Sequence, residues 1–209
     1  GRTIGDAVRL MQLLPELLRR QQKEAVVAFM DFSKAYDTVS RPFLYAAMEA
    51  MGAGSGLLAW TKTLLTDTQA VAVVNGHVSA PASFTAGVRQ GCPLSPLLYL
   101  FIAQALLTWL KFNGVGVTVH ISELLGDRTI TAGQYADDCS AVLASLADVP
   151  AFDAAMDVFA RASGQKLNAS KTQLLRIGKV DETTQPPPEC PYTVVKDAET
   201  LGIRFSNTT

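Results

Sequence analysis

The fold follows from residues 25–32, AVVAFMDF, a short apolar run of strand length that carries one carboxylate, Asp31, near its end. A continuous apolar run of this length predicts a central strand that is buried on both faces. A carboxylate at the end of such a strand is costly to bury unless it is paired or bound to a metal. Asp31 is therefore the first candidate for a functional residue.

A second acidic feature lies at residues 134–139, QYADDC, between two stretches that are typical of β-strands, 129–136 and 140–143. A turn at this point lets Asp137 and Asp138 project from the tip of a hairpin, where they repel each other unless a cation lies between them. Aspartate also favours turns because of local hydrogen bonding, so a solvated Asp-Asp turn is an alternative.

Asp31 and Asp137 together favour a metal site. If a neighbouring strand carries Asp137 towards Asp31, the carboxylates form a hard-oxygen site suited to Mg²⁺. Two such ions about 3.5–4 Å apart stabilise the attacking and leaving oxygens of a phosphoryl transfer. This is the chemistry of a nucleic-acid polymerase.

The other patterns predict an irregular alternation of helices and strands. Ser40, Arg41 and Pro42 mark a helix start, and Pro15 predicts a kink or a second start because proline costs about 3 kcal/mol inside a helix. The predicted helices cover 3–23, 41–51, 57–65, 97–111 and 149–162, and the further predicted strands cover 71–74, 77–84 and 115–121. This order predicts an α+β domain with an antiparallel sheet packed on helices.

Composition limits the possible classes. With 209 residues and 48% hydrophobic content the chain can form one sizeable core. The net charge is -1, which provides no electrostatic argument for a nucleic-acid partner. Three widely spaced cysteines without a CxxC pair predict buried thiols in a reducing compartment.

Nothing in the sequence predicts export or membrane insertion. The N-terminus lacks the basic and apolar segments of a secretory signal, and it lacks Met, so we expect a piece of a longer protein. The most apolar run, 97–110, is shorter than the roughly 20 residues of a membrane span, and it predicts a core helix instead.

Five ordered blocks carry a family resemblance. They are FMDFSKAYDTV at 29–39, GVRQGCPLSPLL at 87–98, YADD at 135–138, GQKLNASKT at 164–172 and LG at 201–202. In this order the blocks resemble the reverse transcriptase domain of non-LTR (LINE-type) retrotransposons. Group II intron and telomerase enzymes share the acidic hairpin, but the form DFSKAYDTV is closest to the retrotransposon branch.

The resemblance implies an RNA-directed DNA polymerase that transfers a nucleotide from a dNTP to a primer 3′-hydroxyl. Its fold would be a polymerase palm with part of the fingers and no thumb: 1–24 the end of the fingers, 25–183 the palm, and 184–209 a connector with a primer-grip-like hairpin. Its cofactors would be two Mg²⁺ ions, with Mn²⁺ as a substitute. Its partners would be an RNA template, a DNA primer, a dNTP and the remainder of a retrotransposon polyprotein, with no membrane. The family implies assembly in the cytoplasm and action in the nucleus.

The resemblance also implies residue roles at the metal site. Asp31 and Asp137 would ligate both metals, the carbonyl of Phe32 would add an oxygen ligand, and Asp138 would support the site. Lys171 is similar to the lysine that protonates the pyrophosphate leaving group.

Further residues would bind nucleotide and primer. Tyr36, next to Ala35, resembles the steric gate that crowds a ribose 2′-hydroxyl. Gln90 would contact the incoming nucleotide, while Gly91 permits close backbone approach and Arg89 would meet template or triphosphate. Leu201 and Gly202 resemble the primer grip.

Two departures and two alternatives accompany this interpretation. Gln104 stands where the family often has glutamate, and Thr200 stands where an aromatic residue commonly precedes the leucine. The first alternative is an inactive truncated remnant of such a domain. The second, a viral RNA-dependent RNA polymerase, is disfavoured because Tyr36 would crowd a ribonucleotide and Ala136 replaces the usual glycine.

Overall fold

A computed structural model describes residues 4–135, 138–200 and 202–207. Two residues with predicted roles, Asp137 and Leu201, lie outside these ranges. The side chains of residues 4–7, 135 and 138 are likewise outside the description.

A five-stranded sheet forms the centre of the described chain, and the strand predicted at 25–32 lies at its middle, as predicted, but ends at Met30. Its strands are β1 (Glu24–Met30), β8 (Ala132–Tyr135), β9 (Asp138–Leu143), β10 (Gln173–Gly178) and β11 (Thr193–Val195). Their order across the sheet is β11-β10-β1-β9-β8. All neighbours are antiparallel except β10 and β11, which are parallel, so the expectation of an antiparallel sheet is correct for four of the five strands.

Five α-helices lie in the described part of the chain: α1 (Ile4–Arg20), α2 (Arg41–Ala50), α3 (Ser55–Leu65), α4 (Leu94–Phe112) and α5 (Val149–Ser163). The predicted helices 41–51 and 149–162 agree with α2 and α5 to within one residue at each end. The Ser40 hydroxyl caps α2 by accepting from the Phe43 amide, and Gly164 ends α5 in the left-handed conformation. Of the two outcomes expected at Pro15, a kink or a second helix start, the second start is excluded, because α1 continues through that residue.

The predicted strand at 129–136 is wrong as one element. It is divided at Thr131 between β7 (Gly126–Ile130), which pairs with β6 (Val117–Ser122), and β8 in the central sheet. Thr131 is buried, and its carbonyl accepts a hydrogen bond from the Val142 amide, so the chain changes partner strand at this point. Apolar patterning does not reveal such a change of partner.

Three small antiparallel pairs complete the described strands. The predicted hairpin at Asn75-Gly76 is confirmed, with both residues at positive φ, 51° and 80°. The strands are β2 (Gln69–Ala70), β3 (Val73–Val74), β4 (His77–Val78), β5 (Ala82–Ser83), β12 (Asp197–Thr200) and β13 (Ile203–Ser206), paired as β2-β5, β3-β4 and β12-β13.

Both faces of β1 are buried, as the apolar run predicts. Alternate residues of β1 enter different core clusters, one containing side chains of α2, α4 and α5, the other containing side chains of α1 and β13. The ring of Phe29 stacks on that of Phe205, which anchors the β12-β13 hairpin beneath β1. The expectation of buried thiols holds for Cys139, whereas Cys92 and Cys190 are half-buried.

Helix α4 is longer than its apolar run. With 19 residues it is long and apolar enough, by length and composition alone, to cross a membrane, so the length argument made from 97–110 is wrong. Its packing supports the core-helix prediction instead, because Leu98, Ile102, Leu106 and Leu110 recur every four residues and are buried in the core.

Candidate active site

The site begins where β1 ends. Strand β1 pairs with β9 so that Met30 lies opposite Cys139. Asp31 is one residue beyond Met30, and Asp138, the first residue of β9, is one residue before Cys139, so the two backbones lie at the same end of the sheet. Strand β9 therefore brings the backbone of Asp138 near Asp31, while Asp137 lies outside the described residues.

The segment 166–172 holds the backbone of Asp31. The Asp31 amide donates to the hydroxyl of Thr172 at 3.4 Å, and the Asp31 carbonyl accepts from the Asn168 amide at 2.8 Å. Thr172 is completely buried. One loop thus satisfies both the amide and the carbonyl of Asp31, and this holds in place the backbone that carries the carboxylate.

The same loop bridges to Phe32. Phe32 and Leu167 form an isolated antiparallel bridge, and the Ser33 amide donates to the Lys166 carbonyl at 3.0 Å. The flanking hydrogen bonds use the carbonyls of Asp31 and Lys166 and not that of Phe32. This pattern is compatible with the oxygen-ligand role predicted for the Phe32 carbonyl.

An open cavity of about 270 Å³ lies beside Asp31. Its lining brings together residues on or next to β1, β9, β10 and β12: Phe29, Met30, Asp31, Cys139, Lys171, Gln173, Glu199 and Thr200. The exposed Lys171 therefore shares a cavity with Asp31. Glu199 is a second carboxylate of this lining that the sequence patterns do not identify.

The β12-β13 hairpin, on which the primer grip is predicted, contributes Glu199 and Thr200 to this cavity. Gly202 is exposed and adopts a positive φ of 71° between β12 and β13. Thr200 lines the cavity, while Leu201 lies outside the described residues. The end of β12 thus shares a cavity with Asp31.

The loop that contains Gln90 is joined to the segment after β1. The Gly87 amide donates to the Val39 carbonyl and the Val88 amide to the Tyr36 carbonyl, both at 2.8 Å. Gly87 has a φ of 81°, and a Cβ there would lie 2.5 Å from the carbonyl oxygen of Asp37, so this close approach requires glycine.

Three predicted nucleotide-binding residues follow in the same loop. Gln90 and Arg89 are exposed, and the Gln90 amide donates to the Asp37 carboxylate at 3.0 Å. Gly91 has a φ of 80° and open space where a Cβ would stand. A ligand can therefore approach the backbone at Gly91 closely.

Tyr36 is half-buried and lies against α4. Its ring stacks on that of Tyr99, with centroids 4.8 Å apart and planes inclined by 18°. Ala35, like Tyr36, packs against the core cluster that contains Tyr99. The Ala35 carbonyl accepts a hydrogen bond from the side chain of Gln165 at 2.9 Å. The predicted gate is thus attached to the core on one side.

Arg41 is a structural residue that the sequence patterns do not identify. It is 6% exposed, and its guanidinium donates to one hydroxyl and several backbone carbonyls: Thr68, and Leu65, Phe84, Ala86 and Gly87. Burial lowers the pKa of this guanidinium below its usual value, although arginine stays charged in proteins. Its position between a serine cap and a proline suggested only a helix start.

The donor atoms of the site fit a hard divalent cation. Among the described residues no group of three His, Cys, Asp or Glu side chains converges. The half-buried Asp31 borders an open cavity. Strand β9 begins beside it with a second aspartate, Asp138. Carboxylate and carbonyl oxygens are the ligands that Mg²⁺ prefers.

Residues 4–205 match the family model described as reverse transcriptase (RNA-dependent DNA polymerase). The transposon TX1 uncharacterized 149 kDa protein of Xenopus laevis is 30% identical over 187 residues, which cover 90% of this chain and 14% of that protein.

Two retrotransposon polyproteins are similar as well. The retrovirus-related Pol polyprotein from type-1 retrotransposable element R2 of Popillia japonica is 28% identical over 99% of this chain and 35% of its own length. That of the type-2 element R2DM of Drosophila melanogaster is 26% identical over 64% of this chain and 12% of its own length. The chain thus spans about a third or less of the length of these relatives.

Proposed function

This chain belongs to the reverse transcriptase (RNA-dependent DNA polymerase) family, and from that membership we propose that it transfers nucleotides from a dNTP to a primer 3′-hydroxyl on an RNA template. The observation that supports this most directly is the placement of Asp31. It follows the last residue of β1, at the end of the sheet where β9 begins with Asp138, and it shares a cavity with Lys171.

The family generally uses divalent metal ions. We propose that Asp31, Asp137 and the Phe32 carbonyl hold two Mg²⁺ ions, for which Mn²⁺ can substitute, with Asp138 supporting the site at its edge. Such ions stabilise negative charge on the attacking and leaving oxygens. The hydrogen bonds to Asn168 and Thr172 keep Asp31 in place for this role.

The incoming dNTP would lie between the segment after β1 and the loop that contains Gln90. In this placement the Tyr36 ring, supported by Ala35, excludes a ribose 2′-hydroxyl. Gln90 contacts the nucleotide, and Gly91 lets the backbone approach it, since nothing lies within 4 Å of its missing Cβ. Arg89 is exposed and would meet template or triphosphate.

Lys171 would give a proton to the pyrophosphate leaving group, a role that its place in the Asp31 cavity allows. Leu201 and Gly202 would hold the primer at the turn between β12 and β13. In this arrangement residues 25–183 form the palm, 1–24 the end of the fingers, and 184–209 a connector with the primer-grip hairpin.

The partners of this reaction are an RNA template, a DNA primer and a dNTP. Two of the relatives are named as Pol polyproteins and are several times longer than the matched region. We propose that this chain likewise works within a longer polyprotein. With a net charge of -1, nucleic-acid binding by the chain alone would be weak.

The test is primer extension on an RNA template with dNTPs and Mg²⁺. We expect Asp31→Asn and Asp137→Asn each to lower extension by at least about 100-fold, because a charged ligand group is lost at the reacting centre. The matched control is Asp157→Asn, an exposed carboxylate on α5 away from the cavity. Equal extension by Asp31→Asn and the control would overturn the assignment, and no extension by the unsubstituted chain would refute activity of this chain alone.

A further inference from the structure

We infer that Gln165 is a positioning residue that fixes the ring of Tyr36, and that it thereby sets how strictly the nucleotide site rejects a 2′-hydroxyl. The inference rests on the proposed function for its second half, because Tyr36 discriminates sugars only if the site binds nucleotides. The first half, that Gln165 fixes the Tyr36 ring, depends only on the contacts of the described residues.

Gln165 is buried and uses its whole side-chain amide. It is 1% exposed and follows Gly164, the residue that ends α5. Its nitrogen donates to the Ala35 carbonyl at 2.9 Å and to the Thr38 hydroxyl at 3.2 Å. Its oxygen accepts from the Tyr99 hydroxyl at 3.0 Å. Both amide hydrogens and the oxygen are therefore satisfied.

Each of these partners adjoins Tyr36. Ala35 precedes it in the chain, Thr38 follows two residues later, and Tyr99 stacks on its ring at 4.8 Å. Tyr99 is 3% exposed and belongs to α4, so its own position is set by the core. Gln165 thus holds Tyr36 from two directions, through the backbone of its segment and through the ring beneath it.

The three hydrogen bonds of Gln165 all lead to groups around the Tyr36 ring, so this network differs from a simple stabilising pair. Removal of the amide leaves the Ala35 carbonyl and the Tyr99 hydroxyl without this partner in a buried place, which costs stability. A purely structural role predicts only that loss. A positioning role predicts in addition that the Tyr36 ring moves and that sugar discrimination falls.

The first arm of the test observes the rings directly. The chain has five tyrosines, so ¹³C labelling of their rings gives few NMR signals, and Tyr36→Phe identifies that of Tyr36. Stacked rings shift each other's resonances, so a change in ring position is visible. We expect Gln165→Met to move the signals of Tyr36 and Tyr99 and to leave that of Tyr45 in place. An unmoved Tyr36 signal would overturn the inference.

The second arm measures the ratio of kcat/KM for a dNTP over the matching NTP in primer extension. We expect Gln165→Met to lower this ratio about fivefold, because a Tyr36 ring that is held less firmly rejects the 2′-hydroxyl less strictly. Tyr36→Ala should lower it further, and adding Gln165→Met to that variant should then change nothing, because the positioned ring is gone. Equal losses of the ratio in both backgrounds would overturn the inference.

Two further variants separate folding from positioning. Tyr99→Phe keeps the stacked ring and removes only the hydroxyl, so it tests the link if Gln165→Met folds poorly. Tyr192→Phe is the matched control, since it removes another buried tyrosine hydroxyl, one that donates to Asp153. We expect the control to lower stability and to leave both the ratio and the Tyr36 signal unchanged.

The two arms also distinguish the inference from the proposed function. An unchanged ratio in Tyr36→Ala would refute Tyr36 as the gate, and no extension by the unsubstituted chain would refute activity. Either result overturns the claim on sugar selection, while the NMR arm alone decides whether Gln165 positions the ring.

Discussion

The side-chain amide of Gln90 donates a hydrogen bond to the carboxylate of Asp37 across 3.0 Å, and this bond joins the loop before α4 to the segment after β1. Both side chains are exposed, so the bond contributes little to folding. Its effect is to hold Gln90 beside the segment that contains Asp31 and Tyr36.

Asp37→Ala should raise the KM for the dNTP about threefold with little change in thermal stability, because an exposed charge-assisted hydrogen bond contributes about 0.5–1 kcal/mol. Steady-state primer extension measures the KM, and Asp157→Ala serves as an exposed control on α5. If both variants have the same KM, Gln90 does not depend on Asp37.

Arg41→Lys should lower the free energy of unfolding by about 3 kcal/mol. Lysine has three donors on one nitrogen and cannot reach all the carbonyls that the buried guanidinium binds, so several of them lose their partner. Urea denaturation measures the loss. Arg161→Lys, at the exposed end of α5, should change it by less than about 0.5 kcal/mol. A similar small change at Arg41 would contradict the structural role.

Gly164 and Gly52 form a matched pair for backbone crowding, since each has a φ of 79°. A Cβ at Gly164 would lie 2.0 Å from the Thr38 carbonyl oxygen, whereas nothing lies within 4 Å of one at Gly52. Gly52→Ala should therefore cost only about 1 kcal/mol for the left-handed conformation. Gly164→Ala should cost at least about twice that and displace the segment after β1. Equal melting temperatures for the two variants would count against this crowding.

Tyr192 makes the stability of the fold sensitive to alkaline pH. Burial raises the pKa of its hydroxyl above the ordinary value of 10.0, and the hydrogen bond to Asp153 raises it further. Above pH 10 the unfolded chain loses this proton while the folded chain keeps it. The free energy of unfolding then falls as pH rises, by at most about 1.4 kcal/mol per pH unit for one proton.

Tyr192→Phe should remove most of this slope, as measured by urea unfolding at pH 8 and between pH 10 and 11. A smaller slope should persist, because burial also raises the pKa of Tyr45. Identical slopes in the variant and the unsubstituted chain would show that Tyr192 does not carry the effect.

Local patterns predicted most of the secondary structure, for physical reasons that act within a few residues. The apolar run of β1, the Asn75-Gly76 turn and the glycine at the end of α5 each restrict the backbone directly. Apolar patterning does not reveal the division at Thr131, because it depends on a change of pairing partner, from β6 before this residue to β9 after it, while the strand pattern itself continues.

The residues that support the candidate site show the same limit. Gln165 reads locally as a polar residue after a helix end, and only the fold brings it to Ala35, 130 residues earlier. Arg41 similarly reads as part of a helix start, although its partners lie at residues 65–68 and 84–87. Motif resemblance pointed to Asp31 and Tyr36, but it contained nothing about the side chains that hold them.

Because β1 lies at the centre of the sheet, it stays without its partner strands for a long time during translation. β1 is complete at residue 30, but its partners β9 and β10 begin only at residues 138 and 173. Translation of the intervening chain takes on the order of ten seconds. During this time an apolar strand has both edges without their final partners, and such edges pair readily with other chains. Nascent synthesis is therefore the stage at which this fold is most open to mispairing, and the stage at which a chaperone would protect it most.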